Sequence, residues 1–427
     1  MPVKQKNKKI KKQKKPDSPH LVHGTADVLP KEGAIWQTLF RAGFSVAEYH
    51  NFHFIETPVL EPAELFASDD EDAEKRFCAA HMGKGVRALL APRGPLPVLR
   101  SYIENHLGYF ASPLKVFRFG PVFRRGDDGK MKGSHEWRFD ILGDNDPVYD
   151  IQTAAAALDF LKALKLRNMT LAVNTNGCRT CHHAYREKLK AYYAREKHRL
   201  CALCAKRSEE DVTSPFRCPN ESCRQVREGA PIILDFLCQS CNNHFKALLE
   251  LIEDNGILYE PDPYLIRDES GFNRMIFSIR MEGAGELAGG GRYDYLAESI
   301  GGRQIPGVGV SLFLERIVSA IEARNAPKGK EKPKVFFVAV GDQAKKSSVR
   351  LIGLLRSSGV VVMETLGKKS LKAQLKTAEK FKAPLMLLLG QKEVFEETLI
   401  VRDMETGAQE TVTLSQMVDV VKKKLKD

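Results

Sequence analysis

Eight of the nine cysteines lie between residues 178 and 241, where they form four close pairs. Two thiolates separated by two residues can converge on one tetrahedral ion, and two such pairs complete a four-thiolate shell. The spacing therefore predicts two structural zinc sites, because four thiolates leave no open position for catalysis. The predicted ligand pairs are Cys178 and Cys181, Cys201 and Cys204, Cys218 and Cys223, and Cys238 and Cys241.

The spacing does not decide how the pairs combine. Pairing in sequence order is the simplest choice, because nineteen residues separate Cys181 from Cys201, a spacing found in four-cysteine zinc sites. An interleaved pairing is the alternative. His182, His183 and His244 lie beside the pairs, and we interpret each as a surface histidine rather than a ligand.

Arginines form the second group of residues that could carry chemistry. Arg124 precedes a glycine-punctuated loop (residues 126–133), Arg267 precedes an acidic stretch, and Arg316 follows a Gly-Val-Gly segment. Arg292 ends a run of three glycines. Guanidinium groups that converge on one point would suit a polyphosphate, whereas each arginine alone could simply pair with a surface carboxylate. The residues by themselves favour a binder of nucleotides or nucleic acid.

Apolar periodicity predicts the elements that must position these side chains. Helical spacing alternates with short extended runs, and the last part of the chain reads as a small α/β domain. The predicted helices cover residues 31–49, 97–107, 150–164, 184–193 and 312–324. The predicted strands cover residues 52–57, 88–90, 114–125, 136–142, 170–174, 275–279 and 286–288, and then 335–340, 360–364 and 385–389.

Length and composition limit the class of protein. The chain has 427 residues, of which 43% are hydrophobic and 28% charged, so we expect two or three globular domains. No apolar stretch is long enough to span a bilayer, so no membrane partner is expected. We divide the chain into a basic arm (1–18), a main domain (19–176 and 246–326), a cysteine-rich insertion (177–245), a linker (327–334) and an α/β domain (335–427).

The net charge of +12 is concentrated at the start of the chain, because residues 1–15 contain eight lysines and no acidic residue. We interpret this stretch as a disordered arm. It could attract nucleic acid or only increase solubility, and charge alone does not distinguish the two. A secretory signal would require an apolar run after the lysines, and the sequence has none there. A cytoplasmic location with reduced thiols is therefore expected.

The motifs resemble the histidyl-tRNA synthetase family of class II aminoacyl-tRNA synthetases over almost the whole chain after residue 18. The resemblance implies an α+β fold with a six- to seven-stranded antiparallel catalytic sheet and flanking helices. It further implies a helical insertion where this chain has its cysteines, a C-terminal α/β anticodon-binding domain and a homodimer. The matching segments are residues 24–30, 57–62, 123–143, 265–267, 289–294 and 314–316.

The resemblance also implies a reaction and its residues. Histidine and magnesium-bound ATP would give histidyl-adenylate, and the histidyl group would then move to tRNA. By analogy with the family, Arg124 holds the α-phosphate and Arg316 the γ-phosphate, and Arg267 neutralises the charge that develops during adenylation. Arg267 and Arg124 are therefore the candidate catalytic residues.

Several positions in the implied amino-acid pocket depart from the family pattern. Arg93 stands where the family has a glutamate that grips the α-amino group, and Glu136 stands in place of a glutamine. Phe272 and Tyr293 complete the candidate pocket, and Phe313 replaces a glycine at the adenine. Two functions fit this pattern: a diverged but working histidine–tRNA ligase, or a non-aminoacylating paralogue that binds RNA or regulates. A third candidate function is an activity on a different small molecule.

Overall fold

The computed structural model describes residues 20–66, 77–81, 83, 87–126, 129–267, 271–323, 334–367 and 370–425. The chain divides between Lys328 and Gly329 into two compact units. The predicted basic arm and residues 327–333 of the predicted linker lie outside the described residues.

Unit 1 is built on a large mixed sheet in which most neighbours are antiparallel. The strand order is β1-β5-β6-β11-β10-β9-β7-β8, with the two end strands β1 and β8 paired in parallel to β5 and β7. A separate three-stranded sheet has the order β2-β4-β3. The strands are β1 (His53–Phe54), β2 (Leu60–Pro62), β3 (Ala79–His81), β4 (Arg87–Leu90), β5 (Leu114–Arg125), β6 (Met131–Leu142), β7 (Met169–Thr175), β8 (Tyr259–Pro261), β9 (Asn273–Met281), β10 (Gly285–Arg292) and β11 (Gly307–Phe313).

Helices cover one face of this sheet and form the main core with it. Trp137, Phe139 and Phe277 point from the strands into this core and are fully buried. Helix α1 approaches closely at Gly43, because a Cβ there would lie 2.5 Å from the Trp137 ring. The helices of unit 1 are α1 (Gly33–Tyr49), α2 (Leu96–Glu104), α3 (Val148–Ala163), α4 (Arg179–Glu196), α5 (Ala202–Arg207), α6 (Glu221–Glu228), α7 (Gln239–Asp254) and α8 (Leu314–Ala323).

The α+β class is confirmed, but three details of the prediction are wrong. The described sheet has eight strands rather than six or seven, because short parallel strands extend both ends. Strand β6 begins at Met131 and pairs there with Arg125, so the predicted loop over residues 126–133 is too long. The start of β6 is difficult to recognise in the sequence, because residues Lys132 to His135 lack the apolar side chains typical of a strand. Helix α8 begins at Leu314, because the two preceding residues pair with β6 as part of β11.

The cysteine-rich segment is mostly helical, as predicted, and has its own small core. Leu189, Tyr193 and Val226 are buried in it together with Phe216. Helix α7 then leaves this segment and packs Leu248 and neighbouring side chains into the main core. Helix α7 therefore belongs both to the cysteine-rich segment and to the core of the sheet domain.

Unit 2 is an α/β domain with the strand order β13-β12-β14-β15-β16. The first three of these strands pair in parallel and the last two antiparallel. All five residues of β12 are buried, with Phe337 on one face and Phe336 on the other, as expected for a sheet covered on both sides. The elements are β12 (Val335–Ala339), α9 (Asp342–Ser357), β13 (Val362–Glu364), α10 (Leu371–Phe381), β14 (Leu385–Leu389), α11 (Gln391–Phe395), β15 (Thr398–Asp403), β16 (Gln409–Thr413) and α12 (Met417–Lys424).

Within the described ranges, we find no helix with the length and apolar character needed to cross a membrane.

Candidate active site and metal sites

Arg267 lies between β8 and β9, and its guanidinium crosses the surface of β10. Its Nη2 donates to Glu286 Oε1 and, over 3.1 Å, to the carbonyl oxygen of Phe277. A Cβ at position 289 would lie 1.9 Å from this Nη2, so only glycine at Gly289 leaves room for the guanidinium. The glycine run thus has a direct role in positioning Arg267.

Arg316 reaches the same glutamate from the first turn of α8. Its Nη1 donates to the carbonyl oxygen of Glu286 over 2.9 Å and lies 3.6 Å from Oε2 of the same residue. The two arginines that sequence analysis assigned to catalysis and to ATP therefore converge on one carboxylate. A cluster of two guanidinium groups of this kind can bind phosphate oxygens.

Phe313 links Arg316 to Arg93. The guanidinium carbon of Arg93 lies 4.5 Å from the centre of the Phe313 ring, and that of Arg316 lies 5.0 Å from it. Both distances are within the range of cation–π contacts. Phe313 is 6% exposed, so its ring fills the space beside the two cations.

Glu136 continues this series of contacts below Arg93. It is 1% exposed, its Oε1 accepts a 2.8 Å hydrogen bond from Arg118, and its Oε2 lies 3.9 Å from Arg93 Nε. Among the described residues, Oε2 has no hydrogen-bond partner. A buried carboxylate oxygen that receives no hydrogen bond from the protein can accept a hydrogen bond from a ligand.

The remaining predicted site residues have other contacts. Arg124 is exposed near the end of β5 and pairs through its backbone with Lys132. The rings of Phe272 and Tyr293 are 6.3 Å apart, and Tyr293 is fully buried with its hydroxyl donating to Asp140 over 2.5 Å. The structure thus joins Arg93, Glu136, Arg267 and Arg316 in one series of contacts. The contacts described for Arg124, Phe272 and Tyr293 are with other residues.

Arg292 does not join the arginine cluster, contrary to the interpretation that its glycine-rich motif could approach a polyphosphate. It is 0% exposed, and all five of its N–H groups have acceptors. They donate to the side chains of Asp150 and Asp294 and to the backbone carbonyls of Asp144 and Asp146. Arg292 therefore ties α3 to the end of β10 and has no donor left for a ligand.

The eight clustered cysteines form two groups of four, and the grouping is nested. One group contains the first and last pairs, and the other contains the two middle pairs. The prediction of pairing in sequence order is wrong, and so is the interleaved alternative. The outer group is Cys178, Cys181, Cys238 and Cys241, and the inner group is Cys201, Cys204, Cys218 and Cys223.

The geometry of both groups fits a tetrahedral zinc ion. Within each group all sulfur atoms lie within 4.8 Å of one another, and the Cys178–Cys181 and Cys201–Cys218 distances are 3.6 and 3.9 Å. Four thiolates at the usual zinc distance are about 3.8 Å apart. All nine cysteines are free thiols.

Hydrogen bonds and burial act in opposite directions on these thiols. Burial is the larger effect at Cys181, Cys204, Cys223 and Cys241 and raises their pKa, whereas the pKa values of Cys178 and Cys201 are lowered. The amide of Cys238 donates to Cys181 Sγ over 3.0 Å. A hydrogen bond from the Cys204 amide lowers the pKa of Cys201 to about 7, although burial acts in the opposite direction. Thiolates are the form that binds zinc.

His244 is not the surface histidine that the sequence suggested. It lies on α7 with its side chain 7% exposed, and its Nε2 is 3.9 Å from Asp150. Burial, together with the positive charges of Arg292 and Arg274, lowers the pKa of His244 to about 3, so the ring is neutral. The helix that begins after Cys238 and carries Cys241 therefore also contacts the Arg292 network.

The cysteine-rich segment also contacts the backbone that carries Arg267. The Tyr264 ring lies 5.9 Å from the Phe216 ring and 5.1 Å from the guanidinium carbon of Arg227. Beside Cys178, Arg179 packs 4.3 Å from the Tyr295 ring and forms an ion pair with Glu298. The insertion is thus attached to the sheet domain at two places, near Tyr264 and near Tyr295.

Comparison with known proteins identifies this architecture. The family model for histidyl-tRNA synthetase matches residues 24–317, and the model for an anticodon binding domain matches residues 334–424. The chain belongs to the histidyl-tRNA synthetase family. The class II synthetase fold that the resemblance implied is therefore confirmed, with the anticodon-binding domain in unit 2.

Individual relatives agree with this assignment. The histidine–tRNA ligase of Moorella thermoacetica is 33% identical over 414 residues, covering 94% of this chain and 97% of that protein. The histidine–tRNA ligase of Natranaerobius thermophilus is 32% identical over 410 residues, covering 93% and 97%. The crystal structure of apo S. aureus histidyl-tRNA synthetase has a TM-score of 0.77 at 26% identity and covers 95% of this chain and 100% of that chain.

Sequence reasoning missed Glu286 and Arg118, the two described residues that complete the charge pairing of the cluster. Each is a charged residue within a strand, with apolar residues or glycine on both sides of it. Such a position needs a buried partner, and this was the available signal. The identity of the partner depends on strand order, which periodicity does not reveal.

Proposed function

We propose that the protein is a histidine–tRNA ligase. The carboxylate of histidine would attack the α-phosphorus of ATP, with pyrophosphate as the leaving group, and the histidyl group would then pass from the adenylate to the terminal ribose of tRNA. This assignment agrees with the curated relatives, which carry the ligase name.

The observation that carries the proposal is the convergence of Arg267 and Arg316 on Glu286. Two guanidinium groups at one point suit a triphosphate, and fixed positive charge stabilises the negative charge that develops at the α-phosphate. We assign Arg316 to the γ-phosphate and Arg267 to the adenylation step. Arg124 is assigned to the α-phosphate, and its exposure on β5 leaves it accessible. Magnesium would accompany ATP as its counterion.

We further infer that the amino-acid pocket is altered, not lost. Arg93 would repel the α-ammonium group of histidine, but Glu136 lies beside it with one carboxylate oxygen free of hydrogen bonds. Glu136 could accept the ammonium while Arg93 remains paired with the same side chain. We assign the imidazole end of the pocket to Phe272 and Tyr293, whose rings contact each other.

Zinc belongs to the proposal as a structural cofactor. Both four-cysteine groups have the donor set and the spacing for one ion each. The outer group would hold the start of α4 against the start of α7, and the inner group would close the loop between them. Neither group would take part in the reaction, because four thiolates fill the coordination shell.

The proposed partners are tRNA and a second copy of the chain. Unit 2 would read the anticodon, in keeping with its family model. Residues 57–62 resemble the family's dimer-forming motif. Within them Val59 and Leu60 are 47% and 39% exposed, as an apolar contact surface would require. The proposed compartment is the cytoplasm, which the nine free thiols support. We retain the domain limits 19–176 with 246–326, 177–245 and 335–427 as proposals.

The test is histidine-dependent exchange of labelled pyrophosphate into ATP, followed by charging of histidine tRNA. We expect exchange only with histidine, and loss of exchange in Arg267→Gln because the developing charge is no longer neutralised. The control omits histidine or replaces it with another amino acid.

The opposite result has a clear meaning. If histidine supports no exchange while the protein still binds tRNA, the chain is the non-aminoacylating paralogue and the ligase proposal fails. Exchange with a different amino acid would likewise reject histidine as the substrate.

A further inference from the structure

Glu286 occupies the point at which Arg267 and Arg316 meet. We propose that its carboxylate is an internal competitor for the phosphate groups of the nucleotide, so that Glu286 determines how tightly this site binds ATP. The proposal rests on the proposed function, because it takes the nucleotide triphosphate as the ligand of these two arginines.

Glu286 is directed at the arginine cluster rather than at its neighbour across the sheet. The residue opposite Glu286 on β9 is Arg280, but the Arg280 guanidinium donates to Asp262 over 2.7 Å. Glu286 Oε1 instead accepts from Arg267 and, over 2.9 Å, from the Ser278 hydroxyl. Its Oε2 lies 3.6 Å from Arg316. One carboxylate therefore stands between two cations.

These two arginines are paired incompletely. Arg292, a purely structural arginine, has acceptors for all five N–H groups. In Arg267 the Nε is buried, and the described residues supply no acceptor for it. Arg316 is 50% exposed and uses only Nη1 in its contacts with Glu286. Both residues thus retain donors for an anion that brings more oxygen atoms than one carboxylate.

A bound phosphate group and the carboxylate cannot share the same donors. The nucleotide must displace Glu286 from Arg267 and Arg316 or accept the repulsion of a nearby negative charge. Charge-assisted hydrogen bonds contribute about 1.5–3 kcal/mol each. Removing the negative charge should therefore raise phosphate affinity by about tenfold to one-hundredfold.

The experiment compares Glu286→Gln with Glu282→Gln in the full-length protein. Gln keeps the shape of the side chain at position 286 and removes its charge. Glu282 is exposed in the turn between β9 and β10, so its variant removes the same charge from the same hairpin outside the cluster. The probes are magnesium–ATP and inorganic tripolyphosphate, measured by calorimetry, with thermal unfolding as the check of the fold.

We expect Glu286→Gln to bind both probes at least tenfold more tightly than the wild type, and Glu282→Gln to bind them like the wild type. Equal affinity in Glu286→Gln and wild type overturns the inference. Weaker binding also overturns it, because the carboxylate would then hold the two arginines in their binding geometry.

Tripolyphosphate separates this inference from the proposed function. If Glu286→Gln tightens tripolyphosphate binding but no variant supports histidine-dependent exchange, the ligase proposal fails and the role of Glu286 stands. If exchange occurs and tripolyphosphate binding is unchanged in Glu286→Gln, the ligase proposal stands and the role of Glu286 fails.

Discussion

Phe313 places an aromatic ring between two guanidinium groups, the surroundings that a purine ring would also favour. Its neighbours, Arg93 and Arg316, lie 4.5 and 5.0 Å from the ring centre. A bound adenine would need the same faces of these cations. At the scale of single residues, we therefore regard Phe313 as the main steric obstacle to the nucleotide base, as Glu286 is the electrostatic obstacle to its phosphates.

Phe313→Ala should raise the affinity for ATP by about tenfold, since a desolvated cation–π contact contributes about 1–2 kcal/mol. Affinity for tripolyphosphate should not change, because that probe has no base, and this comparison is the control. Removing a buried phenyl group should also lower the free energy of unfolding by about 3 kcal/mol or more, so binding is measured well below the unfolding temperature. An unchanged ATP affinity in a folded variant would mean that the base does not bind beside Phe313.

Asp150 offers a test of stability at the same scale. Asp150→Ala should destabilise unit 1 by about 3–5 kcal/mol, because it leaves Arg292 charged and fully buried without its main partner. The matched control is Asp159→Ala on the same helix, whose ion pairs are partly exposed and contribute about 0–1 kcal/mol. Urea unfolding followed by tryptophan fluorescence reports on this unit alone, since both tryptophans lie in it. Similar midpoints for the two variants would contradict the structural role of Arg292.

At the scale of elements, the cysteine-rich segment carries both cysteine groups and packs against the sheet domain. Helix α7 begins at the outer cysteine group, passes His244 against Asp150 and ends in the main core. The segment also packs Phe216 and Arg227 against Tyr264, three residues before Arg267. The cysteine-rich segment therefore contacts both the Arg292 network and the stretch of chain that leads to Arg267.

Paired cysteine substitutions can distinguish nested from sequential grouping. Metal analysis of the wild type should find close to two zinc ions per chain. Cys178→Ser combined with Cys241→Ser should leave close to one, because both substitutions damage the outer group only. Cys178→Ser combined with Cys201→Ser should leave none, because each damages a different group.

Sequential grouping would give the reverse pattern for these two double variants, since Cys178 and Cys201 would then share an ion. A folded wild-type protein without bound metal would reject the zinc proposal altogether. If either double variant retained two zinc ions, the zinc proposal would also be rejected.

At the scale of the whole molecule, local patterns predicted the elements better than their partners. Apolar spacing placed α1 within two residues of its observed start, and the strand predicted over residues 114–125 has the observed bounds of β5. The nested cysteine groups could not be predicted, because each pair has the same local spacing in any grouping. Arg292 was misread for a similar reason: its acceptors Asp144, Asp146 and Asp150 are distant in sequence and become neighbours only when α3 packs against β10. The candidate site shows the same limit: Arg267 and Arg316 could be predicted from motifs, whereas the role of Glu286 became visible only from its side-chain contacts with them.

With zinc bound as proposed, nesting would also favour an order of assembly as the chain leaves the ribosome. The inner cysteines are all synthesised before Cys238 and Cys241, so the shorter loop can close while the outer group is still incomplete. Closing a shorter loop costs less chain entropy. Once the inner cysteine group has closed, the flexible stretch of chain between the two outer pairs is shorter. Assembly would therefore proceed from the inside outward, with α7 docking last. If the inner cysteine group failed to close, folding of the sheet domain would also be delayed, because β8 to β11 follow α7 in the chain.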